Sequence, residues 1–350
     1  MRNSKNRINA LKKSDMLFTT LVIILAFFVG CDSPTEGPKG DKGDAPFVIV
    51  PTDIYDIQRA IDSLANYRGG TVYIKAGEYT LSQGLHIYCS NMTISGEQGV
   101  LIKLGNNVDQ PLILIGSDEE IPTTSIENIK INNVELDGNK QFQDSETDPA
   151  RPWIRNNCID IRMVNDIWIT EVDVHDGRSG GLVVSWDSRF IFIDNSSFHH
   201  NVFDGIALYA SEDIQISNFF CYENGYAGLS FDNDLKNVLF NAGTINNNGD
   251  VGIFGRHSKD LNFHSITIVN NQSHGCFLSH ESLGTNTGVT RLFFNSCSFI
   301  DNNGYGFWLA SPVSESPYNV VIGCLFSGNT QGAIELHPDG ELYQDGNIFQ

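Results

Sequence analysis

The chain has 350 residues, 41% of them hydrophobic and 18% charged, with 33 glycines and a formal net charge of −20. The apolar fraction is large enough to fill a core, which excludes global disorder. Forty-two acidic side chains against 22 basic ones repel a phosphate backbone, so nucleic acid is excluded as a general partner and any polyanion must be met by a local basic patch.

Residues 2–13 carry Arg2, Lys5, Arg7, Lys12 and Lys13, and Leu17 to Val29 form an almost unbroken apolar run ending at Gly30-Cys31. That order of basic, apolar and small residues is the pattern of an export signal, and the run is short for a membrane span. Phe28-Val29-Gly30-Cys31 resembles a bacterial lipobox, with Phe28 where Leu is usual. The resemblance implies removal of residues 1–30, lipidation of Cys31 and a protein anchored in the cell envelope, at the outer membrane or cell surface. Residues 31–46 include three Gly-X-Y triplets, too few to hold a triple helix, and read as a polar tether. One domain is expected over residues 47–350.

Asp56 to Tyr67 places apolar residues at 57, 60, 61, 64 and 65, an amphipathic helix that Gly69-Gly70 stops. Thr71 to Tyr79 reads as strand, turn, strand. Between Asn139 and Asn157 lies an insertion, Gln143 to Arg155, of the size that loops on compact coils reserve for function or motion.

From Gly181 onward a glycine followed by alternating apolar residues recurs at Gly205, Gly228, Gly252, Gly275, Gly306 and Gly332. Within each interval a second apolar pair (Ile191/Ile193, Ile214/Ile216) and a third (Phe219/Cys221, Ile266/Ile268) keep a period of two. Three short strands in about 23 residues leave no room for helices. The expected architecture is all-β: a single-stranded parallel β-helix of three-strand coils, with the Asp56–Tyr67 helix capping its N-terminal end. The third strand ends at Asn139, Asn201, Asn224, Asn248, Asn271, Asn302 and Asn329, with Gly177 the exception, and Asn133, Asn195 and Asn218 mark an earlier corner. Asparagine tolerates left-handed geometry and its amide can bond the next coil, so both series read as ladders. Phe198, Cys221, Ile245, Ile268, Phe299 and Phe326 form one inward column. Cys297 and Cys324 are neighbours in a stack, where buried thiols are favoured over a disulfide.

Ile57-Gln58, Ala60-Ile61-Asp62, Gly69-Gly70-Thr71-Val72-Tyr73-Ile74 and Ala76-Gly77 with Tyr79 resemble the opening of pectate-lyase-like right-handed parallel β-helix proteins. The later Gly-Ile-x-Leu segments are similar to the repeat of that superfamily. The resemblance covers about residues 47–350 and implies a right-handed coil. It leaves the activity open, since the superfamily includes polysaccharide lyases, glycoside hydrolases, uronate epimerases and non-catalytic binders.

Titratable groups gather on the early coils. Asp176, His200 and Glu223 precede the ladder position, and His175, His199 and Tyr222 precede them. The first-strand outward column reads Asp160, Val183, Ala207, Ser230, Phe254, Phe277, Trp308, and two residues on come Arg162, Ser185, Tyr209, Asp232, Arg256, Ser279, followed by Trp186, His257 and His280. Uronate lyases and epimerases neutralise the C6 carboxylate and remove the C5 proton with His, Lys, Arg or Tyr. Two sets fit these roles: Tyr209 with Asp232, Arg256 and His257, or His175, His199 and His200 with Asp176 and Arg178. Substrate contacts are expected from Arg151, Trp153, Arg155, Arg162, Trp186, Asp204 and Glu223, with the insertion as a wall and its arginines as the basic patch. No zinc spacing occurs. Asp187, Asp232, Asn233 and Asp234 offer oxygen ligands for a Ca²⁺, against the plainer reading of a solvated turn. The paired-Asp and Gly-His-Gly pattern of polygalacturonase-like hydrolases is absent. The expected function is a lyase or C5-epimerase on a uronic-acid-containing polysaccharide, with non-catalytic glycan binding or adhesion, or glycoside hydrolysis, as the alternatives.

Overall fold

Period-two alternation without helical interruption leaves each short strand one way to satisfy its backbone: pairing with the same segment of the next repeat. The computed structural model describes residues 46–280 and 288–350, and shows this stacking throughout. The expected export signal (1–30), Cys31 and nearly all of the tether lie outside the described residues. The helix runs from Ile57 to Ala65, with the Asp56 carboxylate accepting from the Arg59 amide, and buries Ile57, Ala60, Ile61 and Leu64 against the first coil. It ends where Arg68 and Gly69 adopt positive φ of 65° and 120°.

Two parallel sheets wrap the core. In the first, Ile159–Arg162, Leu182–Ser185, Ile206–Tyr209, Leu229–Asp232, Ile253–Gly255, Cys276–Leu278 and Tyr305–Leu309 stack in register. The second differs from expectation. In four coils the second and third strands fuse into one bent strand: Ile126–Asp137, Val164–His175, Arg189–His199 and Glu212–Tyr222. One left-handed residue makes each bend, at Asn133, Glu171, Asn195 and Asn218, with φ of 55°, 54°, 48° and 50°. A bend of one residue keeps the ladder paired on both sides. From Leu235 the two segments separate, as in Leu235–Asn241 and Thr244–Asn246.

The inward column from Phe198 to Phe326 is buried. Within the core Phe240, Phe263 and Phe294 stack at 4.5 and 4.3 Å between ring centres. Cys297 and Cys324 are free, buried thiols. The recurrent glycine is forced by contact: a Cβ on Gly228 would stand 2.4 Å from Ile245 Cγ2 and 2.7 Å from the Asn248 amide. The asparagine ladder is continuous from Asn201 to Asn329, each Nδ2 donating to the next Oδ1 at 2.9–3.0 Å. At the exception, the Gly177 amide itself donates to Asn201 Oδ1 at 2.9 Å.

Candidate functional site

Because strands of the first sheet stack in register, residues one coil apart become neighbours. Tyr209 pairs with Asp232, and Ser230 with Phe254. The turns leading into these strands add Phe203 and Asp204 from one coil, Tyr226 and Ala227 from the next, and Asp250 from the one above. Together with Arg256 they line a cavity of about 260 Å³ on the outward face of this sheet.

Asp204 is fixed by two groups on the adjacent coil. Its Oδ2 accepts from the Ser230 hydroxyl at 2.6 Å and its Oδ1 from the Ala227 amide at 3.0 Å. Burial nevertheless pushes its carboxyl above the usual range, against the pull of those donors, and the Asp250 charge pushes the same way. The Tyr209 phenol is pushed up to about 12, first by burial and then by the charge of Asp204, with Asp232 adding to it. It therefore keeps its proton at neutral pH. Asp232 is ionically paired with Arg256 through Nε and accepts from the Asn233 amide at 2.7 Å. The Arg256 guanidinium lies 5.6 Å from the Phe254 ring. His257 stands in the following turn at φ 37° and does not line the cavity.

The histidines form a separate site on the second sheet. His175, His199 and Tyr222 stack in one column, with ring centres 5.1 and 4.5 Å apart. Each imidazole is spoken for. His175 bonds Asp176 at 2.8 Å and Glu135 at 3.2 Å, His199 bonds Asp173 and His200 at 2.8 and 2.7 Å, and His200 meets Glu223 at 2.6 Å. Burial works against protonation of His175, but the carboxylates of Asp176, Asp137 and Glu135 outweigh it and raise its pKa. Asp176 is pulled down to about 2, burial being overcome by His175 and Lys140. Asp137, His175 and Asp176 bring three possible metal-ligating atoms within 4.8 Å of one another, but Lys103 and Lys140 already pair with the two carboxylates. None of the three histidines lines the Tyr209 cavity, so the two expected catalytic sets are two places.

The insertion does stand beside these coils. Thr147–Asp148 and Arg151–Arg155 form a small antiparallel hairpin, and Arg155 donates to Ser179 Oγ at 3.0 Å while lying 4.8 Å over the Phe203 ring. The open basic patch expected there is not formed. Arg151 is paired with Asp148 and Asp118, and Arg155 and Arg178 share Glu146. Arg162 is buried, donates to the carbonyls of Ser117 and Glu119, and lies 5.6 Å from the Trp186 ring. Trp153 is tied to the Asp118 carbonyl at 3.0 Å. These arginines build the wall. Asp232 and Asp234, weighed as Ca²⁺ ligands, are neutralised by Arg256 and Lys259, whereas Asp187 sits in a turn at φ 54°. The cavity residues that sequence reasoning overlooked, Phe203, Tyr226 and Asp250, all fall two places after a ladder asparagine, a register that would have found them.

A family model described as the right handed beta helix region matches residues 157–311. The fold is that of the right-handed parallel β-helix. The chain is 26% identical over 254 residues to mannuronan C5-epimerase AlgE5 of Azotobacter vinelandii, an alignment covering 63% of this chain and 25% of that protein. It thus spans about a quarter of the length of the curated relatives it matches. Among solved structures, the A-module of mannuronan C-5 epimerase AlgE4 from the same organism superposes with a TM-score of 0.62 at 20% identity, covering 88% of this chain and 96% of the module. The Streptococcus pneumoniae surface protein and adhesin PfbA superposes with a TM-score of 0.65 at 14% identity, covering 87% and 95%. At these identities the structural likenesses establish the fold of this right-handed β-helix and leave its chemistry to its own residues.

Proposed function

We propose that this β-helix binds a uronic-acid-containing polysaccharide along its first sheet and acts on it as a C5-epimerase or lyase at the Tyr209 cavity. The observation that carries the reading is the meeting of a phenol held protonated, a carboxyl raised by burial and a guanidinium in one cavity open to a long sheet face. The similarity to mannuronan C5-epimerases supports the substrate class. The export signal and Cys31 would place this face outside the cytoplasm, on an anchored protein.

In this reading the Arg256 cation neutralises the C6 carboxylate of the sugar, which makes the C5 proton acidic. The C5–H bond gives its proton to a cavity carboxylate, Asp232 or Asp250, and the electron pair delocalises into the C6 carboxyl group. Tyr209 then returns a proton to C5 from the opposite face, giving the epimer, or protonates the departing C4 oxygen, giving an unsaturated sugar. The test is incubation with mannuronan, alginate, pectate and glycosaminoglycans in D₂O, followed by NMR and ultraviolet absorbance. Deuterium at C5 or unsaturated product is expected, and Tyr209→Phe should lower the rate on the order of 10²-fold. Absence of both products on every polymer would refute catalysis. Retention on a glycan with no turnover would instead favour the adhesive reading, which the paired histidines and the neutralised arginines suit.

A further inference from the structure

Above the cavity, the face of the first sheet turns aromatic. Phe254, itself a cavity residue, is followed one coil up by Phe277 and then Trp308, with ring centres 6.0 and 4.7 Å apart. A second pair beside it holds His274, in the turn before its strand, and Tyr305, at the start of the next, 5.8 Å apart, with His274 edge-on to Trp308 at 4.8 Å. Phe254 and Phe277 are tilted by 50° and Phe277 and Trp308 by 36°, His274 and Tyr305 lie nearly parallel at 11°, and all five rings are partly exposed. The Tyr305 amide donates to His274 Nδ1 at 2.9 Å, which fixes the tautomer with its proton on Nε2. Among the described residues the flanking column above Arg256 continues with Ser279 and Ala310, and the aromatic column carries no carboxylate until Glu335, while the Asp250 charge at the cavity reaches His274.

We infer that Phe254, Phe277, Trp308, His274 and Tyr305 form a sugar-stacking platform that holds the polysaccharide beyond the cavity, its chain running parallel to the solenoid axis. The inference rests on the reading that a glycan lies along this sheet. Coils repeat every ~4.8 Å, close to the advance of one extended pyranose unit, so successive rings meet successive sugars. Aromatic rings take the C–H face of a pyranose, and His274 Nε2 offers a donor for a ring-edge hydroxyl. With few carboxylates among the described residues of this strip, an acidic chain is repelled less there than over the rest of the surface.

Two lengths of alginate oligosaccharide separate the platform from the cavity. Trp308→Ala is expected to weaken binding of an octasaccharide about tenfold, equivalent to ~1.4 kcal/mol, and to leave a disaccharide unchanged, by titration calorimetry. Trp308→Phe should retain most of the affinity, which separates stacking from misfolding. Tyr209→Phe should do the converse, stopping turnover while keeping the octasaccharide bound. If the wild type retains no acidic glycan, the uronate reading fails, and the same Trp308→Ala comparison is made on neutral glucans and xylans. Equal binding by wild type and Trp308→Ala on every glycan, including none on either, overturns the platform.

Discussion

Replacing Asn248 with alanine removes one rung from the middle of the buried ladder. Its Oδ1 accepts from the Asn224 backbone amide at 3.1 Å and from Asn224 Nδ2 at 3.0 Å, and its own Nδ2 donates to the Cys221 carbonyl at 3.2 Å and to Asn271 Oδ1 at 2.9 Å. Asn271 Oδ1 keeps a donor in the Asn248 amide, and Asn224 Nδ2 keeps the Phe198 carbonyl. The Asn224 N–H is left without its partner and the Cys221 carbonyl loses one donor, in a site fully closed to solvent. An unsatisfied buried N–H costs about 1–3 kcal/mol and a lost hydrogen bond about 1 kcal/mol, so Asn248→Ala should cost roughly 2–4 kcal/mol in all. Asn329→Ala strips the same two kinds of group, the Asn302 N–H and the Phe299 carbonyl, but at a partly exposed end of the described ladder where water can replace the amide, so it should cost about half as much. Urea unfolding followed by tryptophan fluorescence and far-ultraviolet dichroism measures both. Equal losses at the two positions, or a loss below about 1 kcal/mol at Asn248, would refute the ladder as a source of stability.

Three further outcomes follow from the same geometry. The Asp176 carboxyl lies below its unfolded value, so its contribution is present above about pH 4 and lost as pH falls through about 2; that of His175, whose pKa is raised, is present below about 6.5 and lost as pH rises through its folded value. The pair therefore stabilises most between those limits, by about 1–2 kcal/mol after solvent screening, and a His175→Ala variant should show a flatter melting-temperature profile across that window. Asp160 is buried and pushed up to about 6 by that burial, against Arg162 and Asn157, so it contributes less as pH rises from about 4 to 6. Asp160→Asn should be the more stable protein at pH 8, by about 3 kcal/mol, and a lower melting temperature there would contradict the assignment. Gly228→Ala places a methyl 2.4 Å from Ile245 Cγ2 and should cost about 1–3 kcal/mol, read as a lowered urea midpoint.

The coil, its period, its inward columns and its ladder were legible in the sequence because each is a local pattern repeated in register. Period-two alternation with a glycine and an asparagine at fixed places admits one pairing, and a slip of one residue would turn the Phe198 to Phe326 column outward. Even the fused strands have a local trace, in the left-handed asparagines at 133, 195 and 218. What the sequence could not resolve was which outward groups share a space. Tyr209 and the histidines at 175, 199 and 200 are close in sequence register, yet a turn carries them to different sheets, where the histidines meet Asp173, Asp176 and Glu223 and the phenol meets Asp204 and Asp232. Nor did the clustering of arginines 151, 155, 162 and 178 reveal that Glu146, Asp148, Asp118 and backbone carbonyls would claim them. Strand pairing is set by backbone geometry that every repeat restates, so one sequence suffices to read it. Ion pairing and pKa depend on distances of a few ångströms between side chains from different coils, and only the folded chain sets those.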